Sequence, residues 1–248
     1  TVLRRLGSGG MGVVYAAYDE SLDRRVAVKL LKSQNDEQQG RLKREAQALA
    51  RLSHQNVVQV YEVGEFEGQV FVAMEFVKGK TLGDWKPDAS MRDVLSVFIA
   101  AGRGLSHAHA AGLVHRDFKP DNVLVGEDDR PRVLDFGLAR STGERDETDP
   151  ELDEDQLMSI SSRSGDSLSR NLTRTGAIMG TPAYMSPEQF HGKALDERTD
   201  QFSFCVALWE RLFGTRPFPA ETIRDLAYAV TTGNLSEPPT GKKVPAWI

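Results

Sequence analysis

The chain has 248 residues, 40% of them hydrophobic, enough to bury one large core or two modest ones. Its net charge of -5 is uneven: residues 141–170 hold nine acids and three bases, leaving 28 bases against 27 acids elsewhere, so the acidity belongs to one segment. A single cysteine, Cys205, excludes an internal disulfide or a zinc cluster and fits a reducing compartment, while no apolar run in this stretch approaches bilayer length and no signal peptide opens it; Thr1 is not an initiator Met, so a longer protein has room for either outside it.

In chain order, residues 1–35 read as strands: VLRRL, VVYAAYD and RRVAVKLL, each bounded by Gly, Asp or paired charges, form a small antiparallel sheet. Residues 36–53 place Leu42, Ala46, Leu49 and Leu52 at helical spacing behind an acidic first turn, which predicts an amphipathic helix. VVQVYEVG and QVFVAMEFV return to strand composition. Beyond KGKTLGDWKPD the chain turns helical, with Val94, Leu95, Phe98, Ala101, Leu105 and Ala108 forming an apolar stripe over residues 91–111. The fold expected is α+β: a β-rich lobe over residues 1–77 and an α-rich lobe over residues 78–248.

GSGGMG at residues 7–12 spaces Gly7, Gly9 and Gly12 as G-x-G-x-x-G, a weak signal alone because a plain glycine turn explains it as often as a nucleotide does. A dinucleotide fold needs a helix next, yet VVYAAY is strand-like; a Walker A loop needs Gly-Lys-Ser/Thr, and Val13 follows Gly12. A hairpin that brings backbone amides to phosphates remains open. Lys29 ends the apolar run VAVK, where an ordinary edge lysine is about as common as a functional one. Glu45, preceded by Lys43 and Arg44 on the predicted helix, is an acid able to reach it.

HRDFKPDN at residues 115–122 and LDFG at 134–137 are far more specific together than singly, since a lone His115 is more often a packed core residue and a lone Asp117 a turn residue. With GTPAYMSPEQ, in order and at suitable spacing from Leu6 to about Gly233, they resemble the eukaryotic-like serine/threonine protein kinases, and most of all the bacterial branch. The resemblance implies a bilobal kinase fold with ATP and Mg²⁺, or Mn²⁺ in its place, as cofactors. It implies that Lys29, held by Glu45, grips the α- and β-phosphates, and that Asn122 and Asp135 hold the metal. Asp117 would accept or orient the substrate hydroxyl, Lys119 would neutralise the γ-phosphate, and Thr181 would bond both. The Gly7, Gly9 and Gly12 loop would cover the phosphates. Val14, Ala27 and Leu124 would sandwich the purine, Met74 would be the gatekeeper, and the Glu75 carbonyl and Val77 amide would meet the adenine edge. Leu49, Val60, His115 and Phe136 would stack into a spine, and Asp200 would bond the catalytic-loop backbone.

Cys205 stands where the family usually has glycine and reads as a buried small residue; Ser186 replaces the more usual alanine before Pro187-Glu188. The arginine that pairs with Glu188 in the family and the last two helices are expected beyond residue 248, which would leave this stretch poorly active by itself. Between Gly137 and Ser186 lie 48 residues, including GERDETDPELDEDQ and a serine-rich run, composed as a disordered activation-segment insert over 141–170. Arg116 and Arg140 occupy positions that converge in the family on a phosphorylated residue, here Thr173 or Thr175. The expected partners are protein substrates with Ser or Thr, and a second copy for trans-autophosphorylation, with no nucleic acid and no membrane segment in this stretch. The expected location is the cytoplasm, as a free protein or as the cytosolic part of a membrane-anchored one. A nucleotide-binding scaffold without transfer and a small-molecule phosphotransferase stay open as alternatives.

Overall fold

The structure is a computed structural model that describes residues 1–9, 12–33, 35–136, 181–240 and 244–245. Five strands form an antiparallel sheet in the order β1 (Val2–Gly9), β2 (Gly12–Asp19), β3 (Arg24–Leu31), β5 (Gln69–Glu75), β4 (Val60–Phe66). The expected second run from residue 57 enters the sheet only at Val60, because Val57 instead bridges to Val133 and Val58 N–H donates to the Val133 carbonyl. Against this sheet packs α1 (Asp36–Ala50), started by Asn35, whose side chain accepts from Gln38 N–H. Leu42, Ala46 and Leu49 of α1, with Leu52 just beyond it, are all buried, as their spacing predicts.

The sheet register decides what faces the cleft. Side chains of directly paired residues in an antiparallel sheet share a face. Val14 pairs with Lys29, Lys29 with Val72, and Ala27 with Met74, so Val14, Ala27, Lys29, Val72 and Met74 line one face. At the β1–β2 turn Gly12 has φ +152°, and a Cβ there would lie 1.9 Å from the Leu30 carbonyl oxygen, so no other residue fits.

The second lobe begins with β6 (Gly79–Thr81), which joins β7 (Val123–Gly126) and β8 (Pro131–Val133) in a three-stranded sheet. The helices are α2 (Met91–Ala110), α3 (Pro187–Phe190), α4 (Glu197–Phe213) and α5 (Ile223–Thr232), and no described helix is long and apolar enough to cross a membrane. Val94, Phe98, Ala101, Leu105 and Ala108 of α2 are buried as expected. Leu95 departs from that stripe: Val97 takes its place in the core, and Leu95 borders a surface groove with Met91 and Ile99. Cys205 also differs from expectation and is exposed, since the inward positions of α4 are taken by Ser203, Val206 and Ala207.

The lobes meet along a seam in which Asn56, 2% exposed, donates to the Pro131 carbonyl at 2.9 Å and accepts from Val133 N–H at 2.9 Å. Gly104 of α2 presses on this turn, and a Cβ at that position would stand 2.5 Å from the Asn56 carbonyl oxygen. Gly104→Ala should therefore cost about 1–3 kcal/mol by overpacking. Gly40→Ala, in α1 with open space around it, should gain about 0.5–1 kcal/mol from helix propensity. Denaturant unfolding of the two variants measures the opposite signs.

Candidate active site

The centre of the site is the loop between α2 and β7. Asp200, fully buried near the start of α4, accepts from His115 N–H and Arg116 N–H at 2.7 Å each and lies 2.7 Å from His109 Nε2. These bonds hold Arg116 at φ +68°, a conformation that costs a non-glycine residue about 1–3 kcal/mol. The Arg116 carbonyl accepts from Gln189 of α3 at 2.8 Å, so the loop is gripped from two helices.

His115 is fully buried. Its Nε2 faces the Leu134 carbonyl at 2.7 Å, which can only accept, while Nδ1 lies 3.2 Å from Asp117 N–H, which can only donate. Both contacts are satisfied by the neutral ring protonated on Nε2. Complete burial agrees by pushing the imidazole below its usual range. Its ring lies 4.8 Å from Phe136, and Phe136 lines a small closed cavity with Leu49 and Val60, so the four expected stacking residues come together.

Asp117 points its Oδ2 at Lys119 Nζ, 2.8 Å away, and accepts there from Asn122 Nδ2 at 3.1 Å. The same amide nitrogen donates to the Asp117 carbonyl at 2.7 Å. With its nitrogen engaged, Asn122 is left to present its amide oxygen. That atom and the Asp135 carboxylate are hard oxygen donors held close by the bond from Leu134 N–H to the Asn122 carbonyl, 2.8 Å. No group of three or more His, Cys, Asp or Glu able to hold a metal occurs among the described residues. A pair of oxygen donors suits Mg²⁺ bound jointly with phosphates, and suits a self-sufficient protein cage poorly.

Lys29, 4% exposed, makes a 2.7 Å ion pair with Asp135, and Glu45 pairs with Arg41 at 3.5 Å, one turn away on α1. Glu45 also acts, with Arg41, on the half-buried Arg116.

Of the other expected residues, Gly7 and Gly9 lie in β1 and Gly12 opens β2 across from Gly9. Met74 is buried, Glu75 ends β5, Val77 lies in the linker, and half-buried Leu124 lies in β7. Thr181 opens a 3-10 turn (Thr181–Tyr184); its side chain, Gly137, Arg140, Thr173, Thr175 and the insert 141–170 lie outside what the structure describes. Glu188, expected to want an arginine, accepts from the Thr199 hydroxyl at 2.6 Å. Sequence reasoning missed Arg132, which is buried beside Leu124 and binds Glu75; its only signal was a basic residue inside a short apolar strand.

A family model described as "Protein kinase domain" matches residues 1–244. The serine/threonine-protein kinase PknJ of Mycobacterium tuberculosis is 36% identical over 95% of this chain and 37% of its own length. The serine/threonine-protein kinase pkn3 of Myxococcus xanthus is 36% identical over 98% of this chain and 42% of its own length, and PknL of M. tuberculosis 35% over 92% and 52%. The chain thus spans about two fifths to one half of these relatives.

The protonation state of His115 predicts a pH dependence. Its folded value lies below the unfolded one, near 6.5, so the unfolded chain binds the extra proton on acidification and stability falls as pH drops below about 6.5. Half-buried His54, also pushed down by desolvation, adds in the same direction. Unfolding free energy measured from pH 7.5 to 5.0 should decline, and His115→Phe should flatten that decline.

Proposed function

The chain belongs to the protein kinase domain family, and from that membership we propose that it transfers the γ-phosphate of ATP to serine and threonine hydroxyls of proteins. The observation that carries this reading is the Asp117–Lys119–Asn122 cluster, with Asp135 joined to it through the Leu134–Asn122 bond. The names of the relatives support serine and threonine as acceptors.

In this reading the substrate hydroxyl lies against the Asp117 oxygen not engaged by Lys119. The hydroxyl oxygen attacks the γ-phosphorus in line, the bond to the bridging oxygen breaks, ADP leaves, and the hydroxyl proton passes to Asp117. Lys119 places its charge on the transferring phosphoryl group. Lys29, released from Asp135, grips the α- and β-phosphates from the sheet face that also carries Val14, Ala27 and Met74. Asn122 and Asp135 would hold Mg²⁺, which neutralises the charge developing on the phosphates. The Glu75 carbonyl and Val77 amide would meet the adenine edge, with Leu124 beneath the ring.

Regulation by the activation segment is part of this reading. A phosphothreonine at residue 173 or 175, carrying about -1.5 to -2 charge, would form bidentate bonds to Arg116 and Arg140, dock residues 171–188 and switch transfer on. Trans-autophosphorylation by a second copy would supply it. A scaffold without transfer is disfavoured because Lys29, Asp117, Asn122 and Asp135 are all present. A small-molecule phosphotransferase is disfavoured by GTPAYMSPE, the peptide-positioning segment.

Labelled ATP and a generic basic protein give the direct assay. Asp117→Asn should lower transfer by roughly 10²- to 10⁴-fold with near-normal ATP binding; wild-type turnover in that variant would remove Asp117 from its role. For regulation, deletion of residues 141–170 should keep phosphorylation-dependent activity, and Thr173→Ala with Thr175→Ala should lose most of it. A dead deletion with a fully active double alanine would make the acidic insert itself the switch.

A further inference from the structure

Arg132 lies in β8 directly across from Leu124 of β7, so the two side chains share a face of the hairpin. Leu124 is the residue expected beneath the purine. The Arg132 guanidinium is buried, and it spans from the hairpin to the end of the first lobe's sheet. Its Nη1 and Nη2 grip Asp128 at 3.0 and 2.9 Å, a two-point bond to one carboxylate. Its Nε stands 2.7 Å from Glu75 Oε1, a charge contact whose N–H does not point at the oxygen. Arg130 adds a second cation, 3.5 Å from Asp128 and 3.9 Å from Glu75.

Local structure is shaped around this network. A Cβ on Gly126 would fall 2.4 Å from Asp128 Oδ1 and 2.9 Å from Arg132 Nη1, so only glycine leaves room for the pair. The Glu75 backbone is fixed too, its N–H donating to the Gln59 carbonyl at 2.9 Å. Asp128 is held to a pKa of about 2 by the arginine, so its carboxylate keeps its charge across the physiological range.

We infer that Arg132, with Asp128, is a nucleotide-positioning residue that acts through Glu75. It ties the strand end carrying the adenine-edge groups to the hairpin carrying the floor of the purine pocket, and so sets the slot between them. The inference rests on the proposed ATP-dependent transfer. Because the guanidinium pairs with Glu75 and Asp128, its effect falls on binding of the base and not on the phosphoryl step. A planar fork suits the task better than a lysine, whose single ammonium cannot grip Asp128 at two points while meeting Glu75.

The test compares the wild-type chain with Arg132→Met, Arg132→Lys, Glu75→Gln and the Arg132→Met/Glu75→Gln double variant. Arg132→Met should raise KM for ATP about tenfold with kcat within about twofold. Glu75→Gln should raise it by a comparable factor, Arg132→Lys by an intermediate one, and the double variant should be no worse than Arg132→Met alone. Adenosine, as a competitive inhibitor, should weaken by the same factor as ATP, whereas inorganic tripolyphosphate, which has no base, should inhibit as before. If Arg132→Met fails to fold, as a thermal transition would show, Glu75→Gln and Arg132→Lys carry the comparison. Unchanged KM in the folded variants, equal weakening of adenosine and tripolyphosphate, or losses that multiply in the double variant would each overturn the assignment. A wild-type chain that binds neither ATP nor adenosine would instead overturn the proposed function, and this inference with it.

Discussion

One buried carboxylate organises the catalytic loop. Asp200 has no solvent exposure, and its polar oxygens are accommodated there because two backbone N–H groups and an imidazole meet them at 2.7 Å. Charge-assisted bonds of this kind contribute about 1.5–3 kcal/mol each, enough to offset the strained backbone of Arg116. Everything downstream depends on that anchor. It fixes the backbone of His115 and Arg116 beside Asp117, and the His115 ring packs 4.8 Å from Phe136.

A second constraint is competition for Lys29. An ammonium buried to this degree takes a nearby carboxylate, and two are candidates in this fold: Glu45 on a helix and Asp135 on the loop after β8. The structure has Lys29 on Asp135 at 2.7 Å, with Asp135 itself in a left-handed conformation at φ +57°. The electrostatic influence of Glu45 and Arg41 on Arg116 connects that choice to the loop held by Asp200.

The lobes are joined by short-range polar contacts as well as by the linker. Asn56 bonds both β8 termini, and Arg132 bonds Glu75 across the same seam. Gly104 and Gly126 exist to let these groups approach, since a methyl group at either position would overlap a carbonyl or a carboxylate. The seam therefore ties the end of β5 to the β7–β8 hairpin.

Much of the fold was legible in the residues because local patterns and long-range packing agree. The helical spacing of Leu42, Ala46 and Leu49 and the strand character of VVYAAYD and RRVAVKLL survive unchanged in α1, β2 and β3. The catalytic cluster was legible too, because Asp117, Lys119 and Asn122 lie within six residues and a single loop brings them together. Partner choice across distant segments was not. That Lys29 meets Asp135 depends on how the loop after β8 sits against the sheet. The same applies to Leu95, displaced from the core by Val97, to exposed Cys205, and to Arg132, whose partners lie 4 and 57 residues away. The sequence by itself determined which elements form and which chemistry they carry, since propensity, periodicity and loop chemistry act over a few residues. Only the tertiary structure decided which charges meet, because Coulomb and desolvation energies depend on distances of a few ångströms between elements that no local pattern encodes.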